Sequence, residues 1–399
     1  MSAALTLLLG AAFVQILWIG YALSLAGYTR ARNAANLLMM TFSAYGLAVL
    51  LYWAVGAAFA EGRSAFGLLG TNGFFLIGEP RNAAATLRWW SRATLTAFAA
   101  SILTGAIMGR VRFAPALLAL AVGVGFLFPM VQHWIWGDGW LARRGALDFA
   151  GATTIHLAAG TVGLVGAALL GPRFGRYTRE GIPNAFPAHN LPLSATGVAL
   201  LAFGWVGYHF VRALEVGGEG LVVRNTLLGF AGGGFAAMFL AWGRYGKPDV
   251  TLTLNGMVAG LVSISGIANA TSDVAALAIG AIGGILSLFG TAWLDRWQVD
   301  DPGGIIPAHG LGGLWGTIAV GLLHADRGLL IGGGVGQLGA QLLAAAAVVF
   351  VVGVISAALF AILLRYGRLR PLVDEELVGL DAAEHANDAY ADFQRVEFK

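Results

Sequence analysis

The chain has 399 residues, 58% of them hydrophobic and only 11% charged, with a formal net charge of +3. A mean hydropathy of +0.75 excludes an ordinary soluble domain and points to a polytopic membrane protein. The absence of cysteine excludes disulfides, thiolate metal sites and cysteine nucleophiles. No basic stripe with interleaved aromatics points to nucleic acid.

In chain order, eleven apolar segments of spanning length are expected, over residues 4–27, 36–59, 88–108, 113–134, 148–171, 190–211, 220–243, 250–269, 274–294, 308–324 and 336–364. The first has no basic leader and is too long for a signal-peptide core, so it reads as a retained helix. The expected fold class is therefore an all-α polytopic membrane protein with its termini on opposite sides. Loops after odd-numbered helices carry Arg30, Arg32, Arg110, Arg112, Arg173, Arg176, Arg179, Arg244, Lys247 and Arg296. This bias places the N-terminus outside and the C-terminus inside, against the counter-signal of Arg143 and Arg144. The loop over residues 60–87, with Glu61, Gly67, Gly70, Gly73 and Gly78, is expected to form an ordered cap. Residues 1–364 then make a transmembrane domain. Residues 365–399, with Asp374, Glu375, Glu376 and Asp381, make a cytoplasmic tail that is either docked on it or open to a partner.

The fifth and tenth segments share a pattern. Asp148 is followed eight residues later by His156, and Asp301 eight residues later by His309. Glycines follow each histidine at four and seven residues (Gly160 and Gly163, Gly313 and Gly316), and a leucine pair follows further on (Leu169-Leu170, Leu322-Leu323). A charged side chain at membrane depth costs about 2.5–3.5 kcal/mol on insertion scales, so an ionisable group there faces a bundle interior or a wet cavity. A single histidine could serve only an interhelical hydrogen bond. The repeated context instead predicts two imidazoles at one midplane site, in a 5+5 inverted repeat completed by a long eleventh helix.

Several stretches resemble the ammonium transporter family (Amt/Mep/Rh), and its prokaryotic Amt branch in particular. They are Asp148 to His156, His189 to Pro192, Phe203 to Gly207, Asn255 to Leu261, Asp300 to Pro302, His309-Gly310, and the tail from Gly379 to Tyr390. The resemblance covers nearly the whole chain. It implies a homotrimer in the inner (plasma) membrane, with one narrow apolar pore per subunit. It makes His156 and His309 the twin pore histidines that contact ammonia or relay a proton. It implies a transporter, not an enzyme, with no cofactor, and a PII-type signal protein as a partner at the cytoplasmic mouth. Asp148 matches the family's helix-start aspartate, a role compatible with an ordinary N-cap. Asp301 reads as a loop anchor, and Gly304 stands where the family often has an aspartate.

The outer mouth departs from the family. Trp136 matches the aromatic that helps to hold ammonium, but the expected serine is Arg212, the two gating phenylalanines align with Leu95 and Tyr208, and His209 replaces an asparagine. Phe98, one turn from Leu95, is a substitute gate, and Arg92 falls in the same region. A guanidinium about 6 Å from a cation site opposes it by about 3 kcal/mol at an effective dielectric of about 20, more than the ~0.5–2 kcal/mol a cation–π contact supplies. Arg212 either weakens recruitment in this way, or is neutralised by Glu215 or Glu219 with its head in water. Two functions follow: ammonium transport by deprotonation at the outer mouth and passage of ammonia past the histidines, or an ammonium sensor or altered-selectivity channel that conducts ammonium poorly.

Overall fold

A computed structural model describes residues 3–391, almost wholly as helix. Its long helical bodies, in order, are α1 (Ala3–Tyr28), α2 (Ala31–Glu61), α3 (Ala83–Ile107), α4 (Phe113–Arg143), α5 (Ala152–Leu170), α6 (Leu191–Val216), α7 (Glu219–Tyr245), α8 (Val250–Ile264), α9 (Asp273–Arg296), α10 (307–323) and α11 (Gly336–Tyr366). Among the described residues, eight of these are long and apolar enough to cross a membrane. The other three have identifiable reasons to fall short. α3 carries Arg88 and Arg92 in its first three turns, while α8 and α10 are brief. The protein is a multi-pass, all-α membrane protein.

Large apolar side chains cover the outside of the bundle, among them Phe42, Leu50, Phe235, Phe239 and Phe350. Such a surface suits lipid and not water. Inside, α1 lies along α6, α3 lies against α1 and α5, and α7, α8 and α9 form a second cluster. α5 and α10 run through the middle, and α11 packs on both.

Among the boundaries that differ from the periodicity, two are linked. α5 begins at residue 152 and not 148, and α8 ends at 264 and not 269. One arrangement explains both. Phe149 and Ala150 donate their N–H groups to the carbonyls of Gly266 and Ser265, so the chain entering α5 is held out of helix by the chain leaving α8. The loop between α2 and α3 is ordered. It holds a short antiparallel hairpin, Ser64–Ala65 with Leu69–Gly70, which His133 ties down through Ser64 Oγ at 2.8 Å and the Ala60 carbonyl at 3.1 Å.

The tail docks on the bundle. Its two short helices, α12 (Val373–Val378) and α13 (Leu380–His385), present acids to the membrane domain. Glu375 pairs with Arg112 at 2.7 Å, and Asp381 accepts from the N–H groups of Ala35 and Asn36 at the start of α2. Tyr390 reaches His189 at 2.6 Å. The last eight residues of the tail, 392–399, lie outside the described region.

Candidate functional site

Asp148 is the hub from which α5 grows. Its carboxylate accepts from the backbone N–H groups of Gly151, Ala152, Thr153 and Thr154, and from the Thr154 hydroxyl, at 2.7–3.1 Å. It therefore satisfies the donors that a helix start leaves unpaired. Gly151, at φ +112°, turns the chain into the helix. The first turn is π-helical over Ala152–Leu157 and contains His156. In the second copy, Asp301 accepts from Ile306 N–H at 2.9 Å, and a π-helical turn over Pro307–Leu311 contains His309. A π turn interrupts the regular ladder and re-aims one side chain, which is why such turns recur at functional positions.

The two histidines meet. His309 Nδ1 lies 3.1 Å from His156 Nδ1, with the rings inclined by 21° and both buried. The glycines of the repeated pattern allow this approach. A Cβ on Gly160 would stand 2.4 Å from Gly310 Cα, and one on Gly313 would stand 2.6 Å from the Leu157 backbone nitrogen. A ring-to-ring hydrogen bond through Nδ1 needs one donor and one acceptor. One ring then carries its second proton site bare at Nε2, and the other carries Nε2–H. The pair thus offers an acceptor and a donor to a small polar solute. His309 Nε2 is buried without any hydrogen-bond partner in the protein.

Aromatic rings enclose the pair. Trp205 stacks on His156 at 5.1 Å, while Phe98 stands edge-on to His156 at 5.6 Å and to His309 at 6.0 Å. Tyr21 meets His309 edge-on at 5.3 Å. Trp205 is itself fixed by Ser265 Oγ at 2.9 Å and His209 Nε2 at 3.0 Å, and His209 by Thr226 at 2.8 Å.

Outside this cage is a cavity of about 930 Å³ whose lining includes Arg92, Leu95, Tyr208, Arg212 and Glu215. Leu95 and Tyr208 form part of its buried wall, with Phe98 beyond them toward the histidines. A second cavity of about 310 Å³ is lined by Trp136, Asp148 and Arg212. Arg212 bonds to Glu215 Oε2 at 2.8 Å and to the Phe149 carbonyl at 3.3 Å. The guanidinium over Trp136 belongs instead to Arg92, with its central carbon 4.5 Å from the ring centroid.

At the other end, a cavity of about 210 Å³ is lined by Tyr28, Arg173, Arg176, Asn255, Thr291 and Asp301. Behind it Asp300 receives Arg173 through Nε at 2.7 Å and Nη2 at 2.8 Å, and Arg110 lies 3.9 Å away. Burial alone would raise the Asp300 carboxyl. The Arg173 hydrogen bonds and the charges of Arg110 and Arg173 outweigh it and hold the group well below the usual carboxylate range.

The structure thus brings His156 and His309 together, places Asp148 at the start of the helix that carries His156, and sets Trp136, Leu95, Tyr208 and Arg212 around the two cavities at one end. Sequence reasoning did not anticipate Trp205 on His156, Tyr21 on His309 or Arg92 on Trp136. Trp205 stood in the Phe-Gly-Trp stretch already singled out, and Arg92 is an arginine inside an apolar helix, which was the available signal.

The chain is matched over residues 5–390 by the model of the Ammonium Transporter Family. It is 36% identical to the ammonium transporter Amt2 of Archaeoglobus fulgidus, across 95% of this chain and 86% of that protein. A solved structure titled Sensor Amt Protein superposes with a TM-score of 0.91 at 31% identity, covering 96% of this chain and 98% of the other. Mep2 of Candida albicans superposes with a TM-score of 0.84 at 26% identity, covering 99% and 91%. The chain belongs to the ammonium transporter family.

Proposed function

We propose that the protein moves ammonium across the plasma membrane by releasing its proton at the outer mouth and passing ammonia, with a relayed proton, between His156 and His309. The observation that carries this reading is the buried imidazole pair, joined at 3.1 Å, with His309 Nε2 left without a protein partner. Carrying ammonium whole through the aromatic cage would strip a cation of water, an idealised cost of about 20 kcal/mol before relaxation. A neutral solute avoids most of that cost, and the imidazole pair supplies the donor and the acceptor it needs.

The finer architecture belongs to the same reading. All eleven helices span, the N-terminus is outside, and α1–α5 and α6–α10 form an inverted repeat. The loop arginines support the orientation. The packing of α1 on α6, and the matching Asp–π-turn–His units at the starts of α5 and α10, support the repeat. Family membership supports a homotrimer with a pore in each subunit. The docked acidic tail supports a cytoplasmic face able to receive a PII-type signal protein.

The Arg92–Trp136 contact favours a second reading, in which the mouth binds ammonium poorly and the protein senses more than it conducts. An ammonium pulse onto proteoliposomes separates the two. A saturable current supports transport, and ammonium binding by calorimetry with no current supports sensing.

A further inference from the structure

We propose that Arg92 is a tethered competitor, seated on the cation-binding face of Trp136, that sets how readily the outer mouth accepts its substrate. The proposal rests on the ammonium-transport reading above and concerns the regulation of that same site.

Arg92 sits on α3 one turn outward of Leu95 and two turns outward of Phe98, so about 9 Å along the helix separate it from the ring that touches both histidines. Its guanidinium lies 4.5 Å from the centroid of Trp136. The indole is not free to turn away, because its Nε1–H donates to the Asp148 carbonyl at 2.8 Å. One face of the ring is therefore fixed, and this chain's own cation occupies it. A guanidinium is planar and more weakly hydrated than an ammonium ion, so it stacks on an aromatic face at lower desolvation cost. A free ammonium ion cannot share that face and is also repelled by the resident charge.

Glu61 tethers Arg92 at this seat. Its Nε lies 3.6 Å from Glu61 Oε1, too long for a good hydrogen bond but within the range of an ion pair. The Glu61 side chain is 51% exposed against 24% for Arg92, so the carboxylate marks the wetter side of the mouth. Both Arg92 and the buried Leu95 line the large outer cavity, which leaves room for a guanidinium to swing. The two contacts are made by one conformer, so Glu61 helps to hold the guanidinium over Trp136. Only the fraction of molecules in which Arg92 leaves the ring presents an open face, and apparent substrate affinity falls by that fraction. The Arg212–Glu215 pair on the same cavity carries its own counter-charge, and the guanidinium over the ring is that of Arg92.

The test is the half-saturating ammonium concentration of the current in proteoliposomes of the full-length protein. Arg92→Gln and Arg92→Ala should each lower it by about tenfold, the range of a partly buried cation–π contact. Arg92→Lys should retain the wild-type value within about threefold, because the tethered cation remains. Glu61→Gln should also lower it, by less than Arg92→Ala, because the ion pair that holds the guanidinium at the ring is lost. Guanidinium chloride on the outside should restore the wild-type value in Arg92→Ala and leave the wild type unmoved, a response that a purely structural arginine would not give. Unchanged or higher values in both neutral variants, or equal inhibition of wild type and Arg92→Ala by guanidinium, would overturn the proposal while leaving transport intact. Absence of any ammonium-dependent current or binding in the wild type and all variants would overturn the transport reading and this proposal with it.

Discussion

Gly313 packs so closely on the backbone of His156 that a Cβ added to it would stand 3.1 Å from the His156 carbonyl carbon. The glycine four residues after one histidine is thus the contact surface for the other histidine's helix turn. Gly160 makes the reciprocal contact with Gly310, beside His309. Gly313→Ala should force α5 and α10 apart, at a cost of about 1–3 kcal/mol in stability from overpacking. It should also break the 3.1 Å imidazole contact and reduce ammonium current in proportion. Gly339→Ala, on the open face of α11, is the control and should leave both thermal stability and current unaltered.

Asp148 offers a second test. Its carboxylate holds four backbone N–H groups and one hydroxyl, and among the described residues no other side chain accepts from those donors. Asp148→Ala should cost about 1.5–3 kcal/mol or more, the range for hydrogen bonds to a charged group. Current should fall because the π turn that aims His156 loses its anchor. Asp148→Asn should fall between the two, since the amide keeps one acceptor but turns a donor toward backbone donors. Thermal unfolding in detergent, read beside the current, orders the three proteins.

The Asp300 cluster predicts a pH response. Its folded-state pKa is depressed, so its stabilisation is present above the ordinary aspartate pKa of about 3.9 and is lost as pH falls through the lower folded value. Asp300→Asn leaves the buried charges of Arg110 and Arg173 uncompensated and should destabilise by about 3–5 kcal/mol at neutral pH. The gap in stability between wild type and variant should stay constant from pH 7 to about 5. It should narrow only in strong acid. A gap that closes near neutral pH would assign the stabilisation to another group.

Arg212 is paired, and its removal should have a smaller effect than removal of Arg92. Arg212→Ser leaves Glu215 without its partner at 2.8 Å, so the mouth becomes more negative and the half-saturating ammonium concentration should fall slightly. Because the side chain is 22% exposed, the effect should shrink as salt rises, over a screening length of about 8 Å at physiological ionic strength. An effect independent of salt would mean that Arg212 acts by packing and not by charge.

Most of the architecture was legible because the bilayer leaves so few choices. A continuous apolar segment of about 20 residues can satisfy its backbone in a bilayer only as a helix, and the Asp–His–Gly–Gly pattern repeats in order at the starts of α5 and α10. The repeat predicted a pair of imidazoles, and the structure adds that both lie in π turns. Helix ends were less legible. The start of α5 depends on α8, through the bonds from Phe149 and Ala150 to Gly266 and Ser265, and no local pattern encodes that contact. The outer mouth was partly legible. The sequence left open whether Arg212 opposes the Trp136 site or is neutralised by Glu215 or Glu219; it pairs with Glu215, and the guanidinium over the ring is that of Arg92. The tail left two alternatives open, and the contacts of Glu375 and Asp381 show the docked one.

The most direct test of the central claim is the current evoked by ammonium and by potassium pulses on proteoliposomes holding the wild type, His156→Leu or His309→Leu. If the imidazole pair carries ammonia and a relayed proton, the wild type gives a saturable ammonium current and none with potassium, and each leucine variant loses at least about tenfold of the ammonium current, the scale of about 1.4 kcal/mol. Ammonium currents of equal size in all three proteins, or a potassium current in the wild type, would contradict it.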